Sequence, residues 1–197
     1  MFREVLGLTL VLLALPAFAG DISYNLVELG YQKIDVDDIG IGADADGDGF
    51  GIGGSFEIGE SWFVAASYSQ AELDLPVGFG LSIDLDQMAA GVGWHTAMSD
   101  NSDFYALIQY VQAEISVDGF GSADEDGIGA TIGVRGMVTD KIEIGGSIGY
   151  VDLGDAGDGT AFGANLLYNF TENFAAGVFV DIEEDVTGYG AGVRFYW

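Results

Sequence analysis

The chain has 197 residues, with 32 acidic side chains against 5 basic ones, a single histidine and a formal net charge of −27. Such an excess of negative charge repels a polyanion and excludes nucleic-acid binding. The absence of cysteine removes disulfides, thiolate metal sites, a lipid-modified N-terminal Cys and a cysteine nucleophile.

Met1 to Ala19 reads as a secretory leader: Arg3, an apolar run from Val5 to Leu15, then Pro16 and Ala17-Phe18-Ala19, whose small residues suit a signal peptidase. The run is shorter than the roughly 20 residues a membrane-spanning helix needs. The mature chain is expected to begin at Gly20, and residues 20–197 to form one domain. After the leader, the cations are Lys33, Arg135, Lys141 and Arg194.

From Asp21 onward one unit recurs: an ascending strand, an acidic connection, a descending glycine-rich strand and a tight turn. The predicted ascending strands are Ile22–Val36, Trp62–Leu73, Asp103–Val117, Ile142–Leu153 and Phe174–Ile182. The descending ones are Phe50–Ile58, Ile83–Thr96, Ile128–Val138, Thr160–Phe170 and Val186–Trp197. Each is close to the roughly 9–11 residues with which a tilted strand crosses a membrane. Short turns (Gly59–Ser61, Thr139–Lys141, Thr171–Asn173, with Ala97–Ser102 slightly longer) alternate with Asp- and Gly-rich connections at Asp37–Gly49, Asp74–Ser82, Asp118–Gly127, Gly154–Gly159 and Glu183–Asp185. Short turns at one end and longer loops at the other are what transmembrane barrels show.

A soluble barrel also alternates, with its apolar face turned inward, so the faces must be compared. One face of the descending strands carries Phe50, Ile52 and Phe56, then Met88, Val92 and Trp94, then Ile128, Ile132 and Val134. The other carries Gly51, Gly53 and Glu57, then Gly91, Gly93 and His95, then Gly129, Gly133 and Arg135. Glycine and charge make a poor core, whereas inside a narrow barrel glycine relieves crowding while the aromatic face meets lipid. Tyr31, Tyr68, Tyr110 and Tyr150 come late in ascending strands, while Trp62, Phe104, Phe170, Phe174 and Trp197 gather at the short-turn end, as two interfacial rings of aromatics require. The last strand, VTGYGAGVRFYW at Val186–Trp197, needs partners on both edges and is expected to close the barrel against the first.

With SYNLVELGYQ at Ser23–Gln32, the hairpin IGVRGMVTDKIEIGGSIGY at Ile132–Tyr150 and this terminal aromatic strand, the chain resembles the outer-membrane β-barrel superfamily of the OmpA/OmpX type. The expected fold is therefore all-β: an up-and-down antiparallel transmembrane barrel of ten strands, or eight if Gly154–Gly159 and Glu183–Asp185 are not true connections. The familiar small members have eight strands, and no peptidoglycan-binding domain is expected after this barrel. The resemblance implies a cell outer-membrane location and contact with outer-membrane lipid and lipopolysaccharide. It also implies that Trp197, with Phe195 and Val193 at spacing two, forms the terminal signal read by the outer-membrane assembly machinery, where a final Phe is commoner.

The sharpest local motif is Asp44-Ala45-Asp46-Gly47-Asp48-Gly49, three carboxylates at spacing two like the first half of a calcium loop. The position where an EF-hand needs a bidentate Glu is Ser55, so Asp44, Asp46 and Asp48 are a candidate calcium set weighed against a solvated loop. No other cofactor is implied. His95 falls on the inward face at the short-turn end, where the expected role is a packed, hydrogen-bonded lumen histidine. Glu28, Glu57, Glu143, Arg135 and Arg194 share that inward face; Arg135 and Glu143 flank the Thr139–Lys141 turn and can pair diagonally as an internal ion-pair plug. A charged constriction in a channel is the alternative. No nucleophile, base and orienting group converge on one rim. The expectation is a monomeric, non-enzymatic protein of envelope structure or surface interaction through acidic external loops, with a small cation-preferring diffusion pore as the alternative.

Overall fold

The computed structural model describes residues 22–37, 44–74, 82–117, 119 and 121–197. The leader and parts of the connections at Asp37–Gly49, Asp74–Ser82 and Asp118–Gly127 lie outside the described residues. Ten antiparallel strands form one closed barrel in which each strand pairs with its sequence neighbours and the last pairs with the first. They are β1 (Leu26–Val36), β2 (Ala45–Glu57), β3 (Trp62–Asp74), β4 (Ser82–Ser99), β5 (Ser102–Val117), β6 (Gly121–Thr139), β7 (Ile142–Asp152), β8 (Asp158–Asn169), β9 (Phe174–Glu183) and β10 (Val186–Tyr196). Closure leaves no open edge, which satisfies the backbone of both terminal strands. At the seam Leu26 lies opposite Tyr196 and Val36 opposite Val186.

Two acidic connections are shorter than their composition suggests. β2 starts at Ala45 and β6 at Gly121, so Asp46, Asp48, Asp124 and Asp126 are strand residues rather than loop residues. At the opposite end, β4 runs to Ser99 and β5 restarts at Ser102, which leaves only a tight turn. Gly59, at φ 99°, supplies the left-handed residue of the turn between β2 and β3.

β6 has 19 residues and β4 has 18, well beyond what a membrane crossing needs. The excess is explained by a change of phase in the apolar pattern. In the half of β4 nearer the short turns, the outward positions are Met88, Val92 and Trp94, and the inward ones include Gln87, Gly93 and His95. Toward the long connections the sides exchange: Ile83 and Leu85 are buried inside, while Asp84 and Asp86 face out. β1 switches between outward Tyr31 and inward Ile34, β3 between outward Tyr68 and inward Ala71, and β5 between outward Tyr110 and inward Val111. No bulge accompanies the switch, because the ladder registers run unbroken through it. The surrounding solvent, not the strand, has changed.

The barrel thus has two storeys. The lower one exposes a band of large apolar side chains, among them Leu29, Phe50, Phe56, Ile108, Ile132, Phe162 and Val178, far too much for a surface in water and suited to lipid. The upper one is organised like a soluble barrel, apolar within and charged without.

Candidate functional site

The interior of the upper storey is lined largely by apolar side chains, with the Glu183 carboxylate buried at its upper end. Ile34, Val36, Leu73, Ile83, Leu85, Val111, Ile115, Val151, Leu153 and Val186 form one cluster of buried side chains, with Leu73 and Val111 at 0% exposure. A single 3-10 turn, Gly154–Ala156, contributes Ala156 to the same cluster.

The outside of this storey is a collar of carboxylates held on strands. Asp46 lies opposite Asp35 on β1 and Asp74 on β3; Asp48 lies opposite Lys33 and Glu72. The row continues with Glu72 opposite Asp84, Asp86 opposite Glu114, Glu114 opposite Asp124, and Asp152 opposite Asp158. Like charges directly opposed across a ladder destabilise it unless solvent, salt or counter-ions screen them. At the lower edge of the collar the Tyr68 hydroxyl donates to Asp86 at 2.5 Å, tying the aromatic ring of residues to the first carboxylates above it. For the candidate calcium set, Asp46 and Asp48 project outward from β2 with Asp44 just ahead of it. Among the described residues, no group of three His, Cys, Asp or Glu has metal-holding geometry.

The lower lumen is charged. Arg194 on β10 and Glu28 on β1 stand directly opposite across the closing seam. Arg194 Nε donates to Glu28 Oε2 at 3.0 Å, Nη2 donates to the same oxygen, and Nη1 reaches the Tyr196 hydroxyl at 3.3 Å. Arg135 Nε donates to Glu143 Oε1 at 3.4 Å across the β6–β7 hairpin, both side chains being 1% exposed. Within a narrow lumen such charges persist only as pairs.

The mouth at the short-turn end is stoppered by residues that precede β1. Tyr24 is buried, its ring stacked on His95 at 4.1 Å and Phe63 at 4.5 Å, with the Arg135 guanidinium 4.9 Å from its centre. Burial pushes the Tyr24 phenol far above its ordinary range, against the pull of Arg135. Glu57 holds this segment rather than joining a lumen ion pair. It accepts from the Tyr24 N–H at 2.9 Å and from Asn25 Nδ2 at 3.1 Å, while Ser55 Oγ donates to the Tyr24 carbonyl at 2.7 Å. His95 Nδ1 meets Asp103 Oδ2 at 3.3 Å, a partner that the sequence reading did not identify because it arrives from the facing strand β5. The other ring nitrogen, Nε2, is buried without a partner, so no hydroxyl is poised to give it a proton. Val193, Phe195 and Trp197 line the outer face of the last strand at the lower rim.

The family model for the outer membrane protein beta-barrel domain matches residues 6–170. The chain belongs to this family. The match ends before β9, and it is the three-dimensional structure that places β9 and β10 as the strands closing the same barrel. Among solved structures, the NanC porin is 9% identical, with a TM-score of 0.54, over 87% of this chain and 100% of that one. The KdgM porin in complex with disordered oligogalacturonate is 12% identical, with a TM-score of 0.53, over 86% and 99%. Neisserial surface protein A is 17% identical, with a TM-score of 0.50, over 89% and 98%. These likenesses establish a common fold, and the family places the protein in the outer membrane. No curated protein matches the chain.

Proposed function

We propose that this outer-membrane barrel is a sealed, monomeric, non-enzymatic protein of the cell envelope whose working surface is the acidic collar. The observation that carries this reading is the exchange of faces along the strands. It supports an apolar plug inside the upper storey and a rigid belt of opposed carboxylates outside it, directly above the aromatic ring that marks the lipid boundary. A belt at that height stands level with the head groups of the outer leaflet. Divalent cations, calcium among them, join its carboxylates to the anionic groups of lipopolysaccharide and relieve the cross-strand repulsion at the same time. In this reading the cations are shared between protein and lipid around the belt, and Asp44, Asp46 and Asp48 contribute as part of it.

Among the described residues His95 Nε2 has no hydrogen-bond partner, which fits a packed lumen histidine in a non-enzymatic protein. A cation-preferring diffusion pore, the other reading open from the sequence, requires Leu73, Leu85, Ile115 and their neighbours to leave the axis. The test is planar-bilayer conductance of the refolded barrel, with its folded state checked by heat-modifiable migration. Silence from a folded barrel, together with calcium-dependent retention of lipopolysaccharide, is the expected result. Discrete cation-selective steps would overturn the sealed reading in favour of the pore.

A further inference from the structure

The segment ahead of β1 is fixed up to a definite point. Glu57 and Ser55 hold the Tyr24 backbone, the Tyr24 ring stacks on His95, and Ile22 packs against the lower buried cluster. Ile22 also lines a cavity of about 740 Å³ at the short-turn mouth, together with Glu60, Ser61, His95, Asp100 and Asp103. The expected leader cleavage leaves only Gly20 and Asp21 ahead of Ile22. At roughly 3.3–3.6 Å per residue, the new chain end lies within about 7 Å of the Ile22 nitrogen, in this cavity or at its rim.

The cavity is acidic, and among the described residues no Lys or Arg lines it. Asp103 has His95 beside it and stands opposite Arg135 in the ladder, but Glu60 and Asp100 form no ion pair with the described residues. The four side-chain cations of the mature chain are placed elsewhere. Arg194 pairs with Glu28, Arg135 pairs with Glu143, Lys141 lies over the Tyr168 ring at 6.0 Å, and Lys33 stands opposite Asp48 in the collar. His95 adds a second demand. With Nδ1–H given to Asp103, its buried Nε2 is an acceptor without a donor. A primary ammonium brings one positive charge and three donors, and the α-ammonium released by leader removal is the remaining cation of the mature chain.

We infer that the mouth cavity is the docking site for the chain's own processed N-terminus, with the Gly20 α-ammonium held by the Glu60 and Asp100 carboxylates. Before cleavage the same nitrogen is an uncharged amide, so the site is completed only when the leader has gone. Leader removal then ties the segment that carries Tyr24 to the turns after β2 and β4 and fastens the stopper in the mouth. The inference rests on cleavage after Ala19 and is independent of what the outer collar binds.

The test uses the whole mature barrel, recovered folded from outer membranes in detergent. Its intact mass reports the first residue, and a start other than Gly20 would overturn the inference at that premise. The titration midpoint of the α-amine is then read from the pH dependence of trace acetylation, with mass spectrometry of the N-terminal peptide. An exposed α-amine titrates at roughly 7.7–8.0. Facing carboxylates favour the charged form, so the barrel's midpoint is expected about half a unit or more above that of a free Gly-Asp-Ile peptide, which shares Asp21. Glu60→Gln combined with Asp100→Asn, both at exposed turn positions, is expected to return the midpoint to the peptide's value. Glu172→Gln, on the β8–β9 turn and outside the cavity, is expected to leave it raised. A wild-type midpoint equal to the peptide's would overturn the docking. So would an equal fall in the Glu172 variant, which would trace the shift to the general negative field of the protein. The wild-type midpoint decides the matter even where the double variant fails to fold.

Discussion

Phe63 and Gly93 stand directly opposite each other on β3 and β4, and the Phe63 ring occupies the space that a Cβ on Gly93 would need. Tyr105 stands in the same relation to Gly133 across β5 and β6, Asn165 to Gly145 across β7 and β8, and Phe179 to Gly190 across β9 and β10. The inward glycines of one strand are thus sockets for the large side chains of the next. A narrow barrel is filled in part by pairing large with absent side chains, and at these four positions the glycine makes room for the side chain facing it.

Gly93→Ala is therefore expected to destabilise the folded barrel by about 1–3 kcal/mol, the usual cost of overpacking, since Phe63 has to leave its place beneath Tyr24. Gly146→Ala is the control: its added Cβ meets nothing closer than the Gly163 carbonyl at 3.8 Å, and near-neutrality is expected. Urea midpoints of the two variants in one detergent, measured by refolding and unfolding, check the contrast; equal losses would mean that the sockets do not matter.

Removing one member of the seam pair leaves the other charge buried. Arg194→Met alone should cost about 3–5 kcal/mol, whereas Arg194→Met combined with Glu28→Leu should recover most of that loss, because apolar pairs commonly replace buried ion pairs without penalty. A double mutant no more stable than the single one would show that Glu28 holds something besides Arg194. The four-corner cycle of unfolding free energies measures this coupling directly.

For the collar, neutralising Asp46, Asp48, Glu72 and Asp84 to their amides removes a contiguous run of opposed carboxylates. Each like-charge opposition is worth roughly 0.2–1 kcal/mol, so the variant should be more stable than the wild type at low salt. That advantage should vanish at 1 M salt, where the screening length falls to about 3 Å. Calcium at millimolar concentration should raise the wild-type midpoint and leave the variant unmoved. A calcium effect of the same size in both would place the bound ion outside the collar.

Deleting Trp197 separates assembly from stability. Its N–H reaches the Asn25 carbonyl at 3.4 Å and its ring lies exposed at the lower rim, so little packing is lost. Refolding into detergent is expected to be close to wild type, while the amount of folded barrel recovered from outer membranes falls severalfold. Substitution by Phe should restore recovery. Normal recovery of the deletion would place the assembly signal elsewhere on the last strand.

Strand identity, the outward aromatic band and barrel closure are local facts, which is why alternation alone reveals them. A residue and its neighbour two positions on share a face wherever the strand sits, and a terminal strand must find two partners. The collar shows where that logic fails. Ala45–Gly49 and Gly121–Gly127 have the composition of loops, and only their pairing in continuous register, the first with β1 and β3 and the second with β5, makes them strand. Their trace was nonetheless written in the chain: between Leu85 and Met88, and between Tyr110 and Val111, the apolar parity reverses without a bulge, as expected where a strand passes from lipid into water. What no local pattern could decide is which inward groups meet. Glu28 and Arg194 are 166 positions apart, Asp103 selects His95, Glu57 takes the Tyr24 segment, and Asp181 is left alone among glycines. Those outcomes depend on the relative register of ten strands around a closed ring. Closure is a property of the whole sheet, not of any one strand within it.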